Sequence, residues 1–258
     1  MREKVATNRF ALECHGLSKR FAGLEAVSNV TLQIVPGERR GIIGPNGAGK
    51  TTLFRLISGE FPVTSGTIRL FDQDVTRVPC HRRTHMGLGR TFQITNLFPT
   101  MTILDNLVVA AMGQRGMKFS MLRPLSTYRD LYQQAEQILE NVGMTERRGE
   151  IVKNLSHGEQ RQIEISLALI SNPKVLLLDE PTAGLSPAES TMMTEILKKL
   201  DSGMTILIIE HDMDVAFQVA DRITVLHLGC PFAEGTPSEV RNNSRVRDIY
   251  FGAEEKPC

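Results

Sequence analysis

Three kinds of hydrophobic spacing follow one another along the chain. Val30, Leu32 and Ile34 alternate with Thr31 and Gln33, the period of two that marks a half-buried strand, and Pro36-Gly37 then turns the chain into residues 40–43. The glycine-rich stretch 44–49 follows at once. Beyond Lys50, Leu53, Leu56 and Ile57 recur at helical spacing until Gly59, a C-terminal stop. A further strand is predicted at 67–71, after the turn at Ser65-Gly66. From about 96 to 170 the period becomes largely helical. Thr102 and Asp105 make a capping-box-like start to a helix with Leu104, Leu107, Val108 and Ala111 inward, and a second helix is predicted over 130–142, ended by Gly143. Unbroken apolar runs return at 175–178 and 205–209, on either side of a helix over 186–200 with Pro187 in its first turn. Runs of that kind are buried on both faces and indicate a parallel sheet between helices. A strand near 222–228 and a short helix opened by Thr236-Pro237-Ser238-Glu239 complete an α/β pattern without internal repeat or linker.

Composition narrows the class. The 258 residues are 41% hydrophobic and 23% charged, an ordinary globular balance that excludes disorder and fibrous repeats and leaves room for one large domain, or one domain with a subdomain. Thirty basic against 29 acidic residues give a net charge of +1, so no global field favours nucleic acid, and Arg39-Arg40 and His81-Arg82-Arg83 read as solvated surface. Cys14, Cys80, Cys230 and Cys258 contain no CxxC pair, which suggests neither a zinc ribbon nor a disulfide framework and fits a reducing cytoplasm. The N-terminal stretch lacks the apolar core of a signal peptide, and the longest apolar runs are too short to span a bilayer. A soluble chain is expected, reaching a membrane only through a partner.

Two segments carry chemistry. GPNGAGKTT, residues 44–52, fits G-x-x-x-x-G-K-[ST] between a predicted strand and a predicted helix. Backbone N–H groups of Gly44, Asn46, Gly47, Ala48 and Gly49 can close around a β-phosphate, with Lys50 bridging β- and γ-phosphates, Thr51 holding Mg²⁺ and Thr52 completing the loop. VLLLDEP, residues 175–181, brings Asp179 and Glu180 to the end of a buried strand: one carboxylate to hold Mg²⁺ through water, the other to polarise an attacking water.

Between these segments lies LSHGEQ, residues 155–160, which resembles the signature motif of ABC-type ATPases. Physically it reads as a capped helix start, with Ser156 as cap, Glu159 completing a capping box and Ile163, Leu167 and Ile170 inward. The resemblance covers nearly the whole chain. It implies an α/β P-loop NTPase fold, with a RecA-like core and antiparallel β subdomain from 1–93 and 171–258 and an inserted helical subdomain over 94–170. It also implies roles: Phe21 resembles the aromatic that stacks on adenine, Gln93 the glutamine that touches Mg²⁺, residues 183–186 the D-loop, and His211 the switch histidine at the γ-phosphate. Ser156 and Gly158 would serve ATP held by a second, head-to-tail subunit. His157 stands where many relatives have glycine, and Phe21 where tyrosine is frequent.

GLGRTFQ, DEPTAGLSP, IEHDM and AEGTPSEVRNN resemble most the ATP-binding subunit of branched-chain amino acid importers. That group implies ATP and Mg²⁺ as cofactors, two transmembrane permeases, a paralogous second ATPase or a homodimer in isolation, and indirectly a substrate-binding protein. It places the chain on the cytoplasmic face of the inner membrane. A urea or short-amide importer ATPase, a lipopolysaccharide-type exporter ATPase and a non-transport ABC ATPase are the alternatives. No coiled-coil insertion, second head or basic face supports the last.

Overall fold

A computed structural model describes residues 9–91, 97–115 and 128–251 of the chain. The chain begins with a long hairpin, β1 (Leu12–Phe21) and β2 (Leu24–Ile34), then enters β3 (Arg39–Ile43), which leads through the glycine-rich loop into α1 (Lys50–Ser58). β4 (Ser65–Leu70) and β5 (Gln73–Asp74) return to the hairpin and form an antiparallel sheet of order β2-β1-β4-β5. α2 (Cys80–His85) and β6 (Leu88–Arg90) lead to three helices, α3 (Ile103–Gln114), α4 (Arg129–Asn141) and α5 (His157–Leu169). The α/β alternation then resumes with β7 (Val175–Asp179), α6 (Pro187–Lys199), β8 (Thr205–Ile209), α7 (Met213–Val219) and β9 (Arg222–His227). β10 (Cys230–Gly235), α8 (Pro237–Asn242) and α9 (Ser244–Phe251) follow. The second sheet has the order β10-β9-β3-β8-β7-β6, parallel except for β10.

The parallel sheet is the spine because its central strands are apolar on both faces. Leu176, Leu178, Ile206 and Ile208 pack with Leu107, Leu139, Ile163 and Leu197 from α3 to α6. Their neighbours Val175, Leu177, Leu207 and Ile209 face the other way, onto Leu53, Phe54 and Leu56 of α1 and the inner residues of the antiparallel sheet. Alternate residues of one strand thus serve two cores. Burying a residue of this size contributes roughly 1.5–3 kcal/mol, so these strands fix the position of whatever lies at their ends.

Some expectations needed correction. β1 is not read from the sequence at all, because register shifts between Cys14, Leu17 and Lys19, with Gly16 at φ 57°, break the period of two. In α3 the inward stripe is Ile103, Leu107, Val108 and Ala111, while Leu104 is half-buried; buried Asn106 bonds both backbone groups of Phe98. Arg40 and Arg83 are not surface charges but are 2% and 1% exposed. Arg40 pairs with Glu38 and Glu234, and Arg83 donates to the carbonyls of Leu56, Ile57, Thr76 and Val78. Each guanidinium can be buried because its donors are met.

Candidate functional site

The ends of three adjacent parallel strands, β3, β7 and β8, converge. The chain leaves β3 at Gly44, where a Cβ would collide with the carbonyl oxygen of Leu226, and enters α1 through Gly49, at φ 94°, where a Cβ would collide with that of Ala26. Glycine is required at both for close backbone approach. α1 starts with no side-chain cap, so its first-turn N–H groups have no capping side chain and the positive end of its dipole is open to an anion. Lys50, 6% exposed, folds back to donate from Nζ to the carbonyl oxygens of Gly44 (2.7 Å) and Pro45 (3.1 Å). Burial pushes its pKa down, against the opposing pull of Glu180 and Asp179.

Asp179 is 1% exposed, and neither carboxylate oxygen has a hydrogen-bond partner; Arg90 Nη2 lies 3.6 Å from Oδ2. Burial raises its pKa, with Arg90 acting against the rise. A buried carboxylate left unbonded beside a phosphate loop has the chemistry of a cation ligand, so the residues present fit a Mg²⁺ ion. Glu180 has a φ of 48°, in the left-handed region. The strain is held from both sides. Its N–H donates to Ile209 O (3.0 Å), and Arg161 of α5 reaches across to donate to the carbonyls of Asp179, Glu180 and Pro181.

A cleft of about 570 Å³ brings together Asn46, Gly47, Ala48, Gly49, Lys50, Thr51, Thr52 and Glu180 with Leu24, Glu25, Ala26, Leu228 and Gly229. Leu24 and Leu228 are exposed apolar side chains, and together they give it an apolar wall. Phe21 is not in this lining. It sits opposite Leu24 at the hairpin end, edge-on to Phe61 with centroids 5.4 Å apart and with Lys19 Nζ 4.9 Å above its ring. His211 is exposed and lines a different cleft, with Phe217 and Tyr250. Gln93 lies outside the described residues.

Ser156 and Gly158 start α5, away from the cleft lining. Ser156 caps the helix and Glu159 completes the box: Ser156 N–H donates to Glu159 Oε2 at 2.8 Å. Gly158 N–H donates to Glu189 Oε1 (3.2 Å), from the first turn of α6. A Cβ on Gly184 would touch the His157 ring at 3.4 Å, so the loop before α6 lies against the segment 156–160.

Sequence reasoning missed Arg161, Glu189 and Glu210. Arg161 and Glu189 act across elements, which no local spacing reveals. Glu210 has a local signal, a lone acid ending the apolar run of β8, and it is fully buried.

Two families of known proteins match. ABC transporter matches residues 27–183, and branched-chain amino acid ATP-binding cassette transporter matches residues 231–256. The high-affinity branched-chain amino acid transport ATP-binding protein LivG of Escherichia coli strain K12 is 41% identical over 248 residues, covering 93% of this chain and 97% of its own. A crystal structure of the ADP conformation of an ATP-binding cassette of an ABC transporter superposes with a TM-score of 0.84 at 29% identity, over 95% of this chain and 99% of that one. A dimeric structure of a bacterial ABC transporter cassette gives 0.74 at 26% identity, over 88% and 98%.

Proposed function

The chain belongs to the ABC transporter family of ATP-binding proteins, and on that premise we propose that it is the ATP-hydrolysing subunit of an importer for branched-chain amino acids. The observation that carries the chemistry is the convergence of an uncapped α1, buried Lys50, unbonded Asp179 and strained Glu180 at three adjacent strand ends. The substrate reading is supported by the match over residues 231–256 and by the likeness to LivG.

In this reading the loop 44–52 holds the ATP phosphates, with Lys50 turning from its own loop carbonyls to the β- and γ-oxygens. Thr51, Asp179 and Gln93 would hold Mg²⁺, which would neutralise charge developing on the phosphates. Glu180 polarises the attacking water, and His211 contacts the γ-phosphate. Phe21 stacks on adenine. Ser156 and Gly158 complete the site of a second subunit packed head to tail, so ATP stabilises the closed pair and hydrolysis releases it. The helical segment 94–170 forms a subdomain against a core of 1–93 and 171–258, and that subdomain receives a cytoplasmic helix of a permease. That arrangement puts the chain on the cytoplasmic face of the membrane; among the described residues no helix is long and apolar enough to cross one.

The test is co-purification from membranes with the products of neighbouring genes, followed by uptake into proteoliposomes. ATP-dependent uptake of labelled leucine is expected. Uptake of urea or short amides instead would replace the substrate. Recovery without permeases would remove the transport reading and leave the ATPase intact.

A further inference from the structure

Glu210 is 0% exposed, at the point where β8 ends between the other two motif-bearing strands. Its own N–H donates to Ile42 O of β3 (3.4 Å). Its carboxylate is used unequally. Oε1 accepts from both the backbone N–H (3.2 Å) and the hydroxyl (2.8 Å) of Thr182, two residues beyond Glu180. Oε2 is buried without a hydrogen bond and lies 3.9 Å from Nδ1 of His211. A half-satisfied buried carboxylate is costly, and a purely structural anchor for Thr182 would not need the second oxygen.

We propose that Glu210 is a positioning residue for ATP hydrolysis: one oxygen fixes the loop that follows Glu180, and the other holds His211 with its Nδ1 proton toward the carboxylate, leaving Nε2 for the γ-phosphate. This rests on the reading of His211 given above. Which ring nitrogen of a histidine carries the proton is set by the bond the other nitrogen makes. To donate to a γ-phosphate Nε2 must carry a proton as well, the state in which both ring nitrogens are donors. The 3.9 Å separation is longer than a hydrogen bond, and catalytic contacts of this kind commonly tighten when substrate binds. Burial raises the Glu210 pKa, while the Thr182 hydrogen bonds and His211 act against the rise.

The first measurement needs no variant: long-range proton–nitrogen NMR on histidine-labelled full-length protein should show His211 protonated at Nδ1. Glu210→Gln then reverses one contact only. Its amide oxygen keeps the Thr182 donors and its NH₂ turns to His211, so the proton should move to Nε2. kcat should fall about tenfold or more, within the range of a mispositioned acid–base group, with the KM for ATP changed by less than about twofold. In the His211→Ala background the same substitution should add nothing further to the loss. Thr182→Val, which removes only the hydroxyl, should leave the His211 tautomer unchanged. An unchanged tautomer in Glu210→Gln, wild-type kcat in that variant, or independent effects of the two substitutions would overturn the proposal. If His211→Ala itself hydrolyses ATP normally, the His211 reading falls and takes this proposal with it. An inactive His211→Ala beside an active Glu210→Gln sinks the Glu210 proposal alone.

Discussion

The starts of α1 and α5 both offer backbone N–H groups to an anion, yet they are built in opposite ways. α1 begins on Gly49 with no side-chain cap, a buried Lys50 and the Asp179 and Glu180 strand end beside it. α5 begins on exposed Ser156 and is filled by the protein's own carboxylates, Glu159 in the capping box and Glu189 on the N–H of Gly158. The first is an anion site kept open by burial and strand packing. The second is already occupied by acids. In the proposed head-to-tail pair, a phosphate arriving at α5 would have to displace Glu189 from the N–H of Gly158.

Substitutions can break this contrast from either side. The largest effect is expected from Glu180→Gln, which should cut kcat by roughly 10²–10⁴ while ATP still binds and a dimer accumulates on size exclusion. Hydrolysis near the wild-type rate would remove Glu180 as the base. Lys50→Ala strips the open site of its cation and should weaken ATP binding by about 30-fold or more in calorimetry, the scale of truncating one partner of a buried charge contact. Glu189→Gln empties the occupied site of its charge. Made in the Glu180→Gln background, it should tighten ATP-driven dimerisation roughly two- to tenfold, as expected for a charge at a helix start; weaker association would show Glu189 to be a support instead. Phe21→Ala should weaken ATP binding about two- to tenfold through lost stacking, and unchanged affinity would assign the base to the Leu24 and Leu228 wall.

The smallest effect concerns pH. Hydrogen bonds from Ser186 hold the Glu189 pKa below the ordinary glutamate value. A carboxylate with a depressed folded-state pKa adds stability above its unfolded value, and that stability is lost as pH falls through the depressed one. The difference in Tm between wild type and Glu189→Gln should therefore shrink as the buffer is taken from neutral to below the usual glutamate range. A difference that grows on acidification would contradict the assignment.

Much of the open site was legible because its residues are contiguous. The loop 44–52, α1, β7 and β8 all follow from short-range pattern, and the capping signals of α5, α6 and α8 fix their starts to the residue. What pattern could not show is contact between elements. The bulges of β1 hide a strand, and three-residue β6 is too short to read. Arg161 belongs by spacing to the surface of α5 but reaches three carbonyls at the end of β7, and Glu189 reads as an ordinary helix cap although it also bonds Gly158. Tertiary reach also explains Arg40 and Arg83, whose partners are 7 to 194 and 5 to 27 residues away except for Glu38.

The crowding around the phosphate loop also determines which variants of this chain can survive selection. In a randomised pool sorted for folded protein, positions 44 and 49 should return glycine alone, because the carbonyls of Leu226 and Ala26 stand where any side chain must begin. Gly47 has the same left-handed backbone but open space around its missing Cβ, so asparagine should be recovered there. Within one short loop, heritable variation would be shut out at two glycines and admitted at a third.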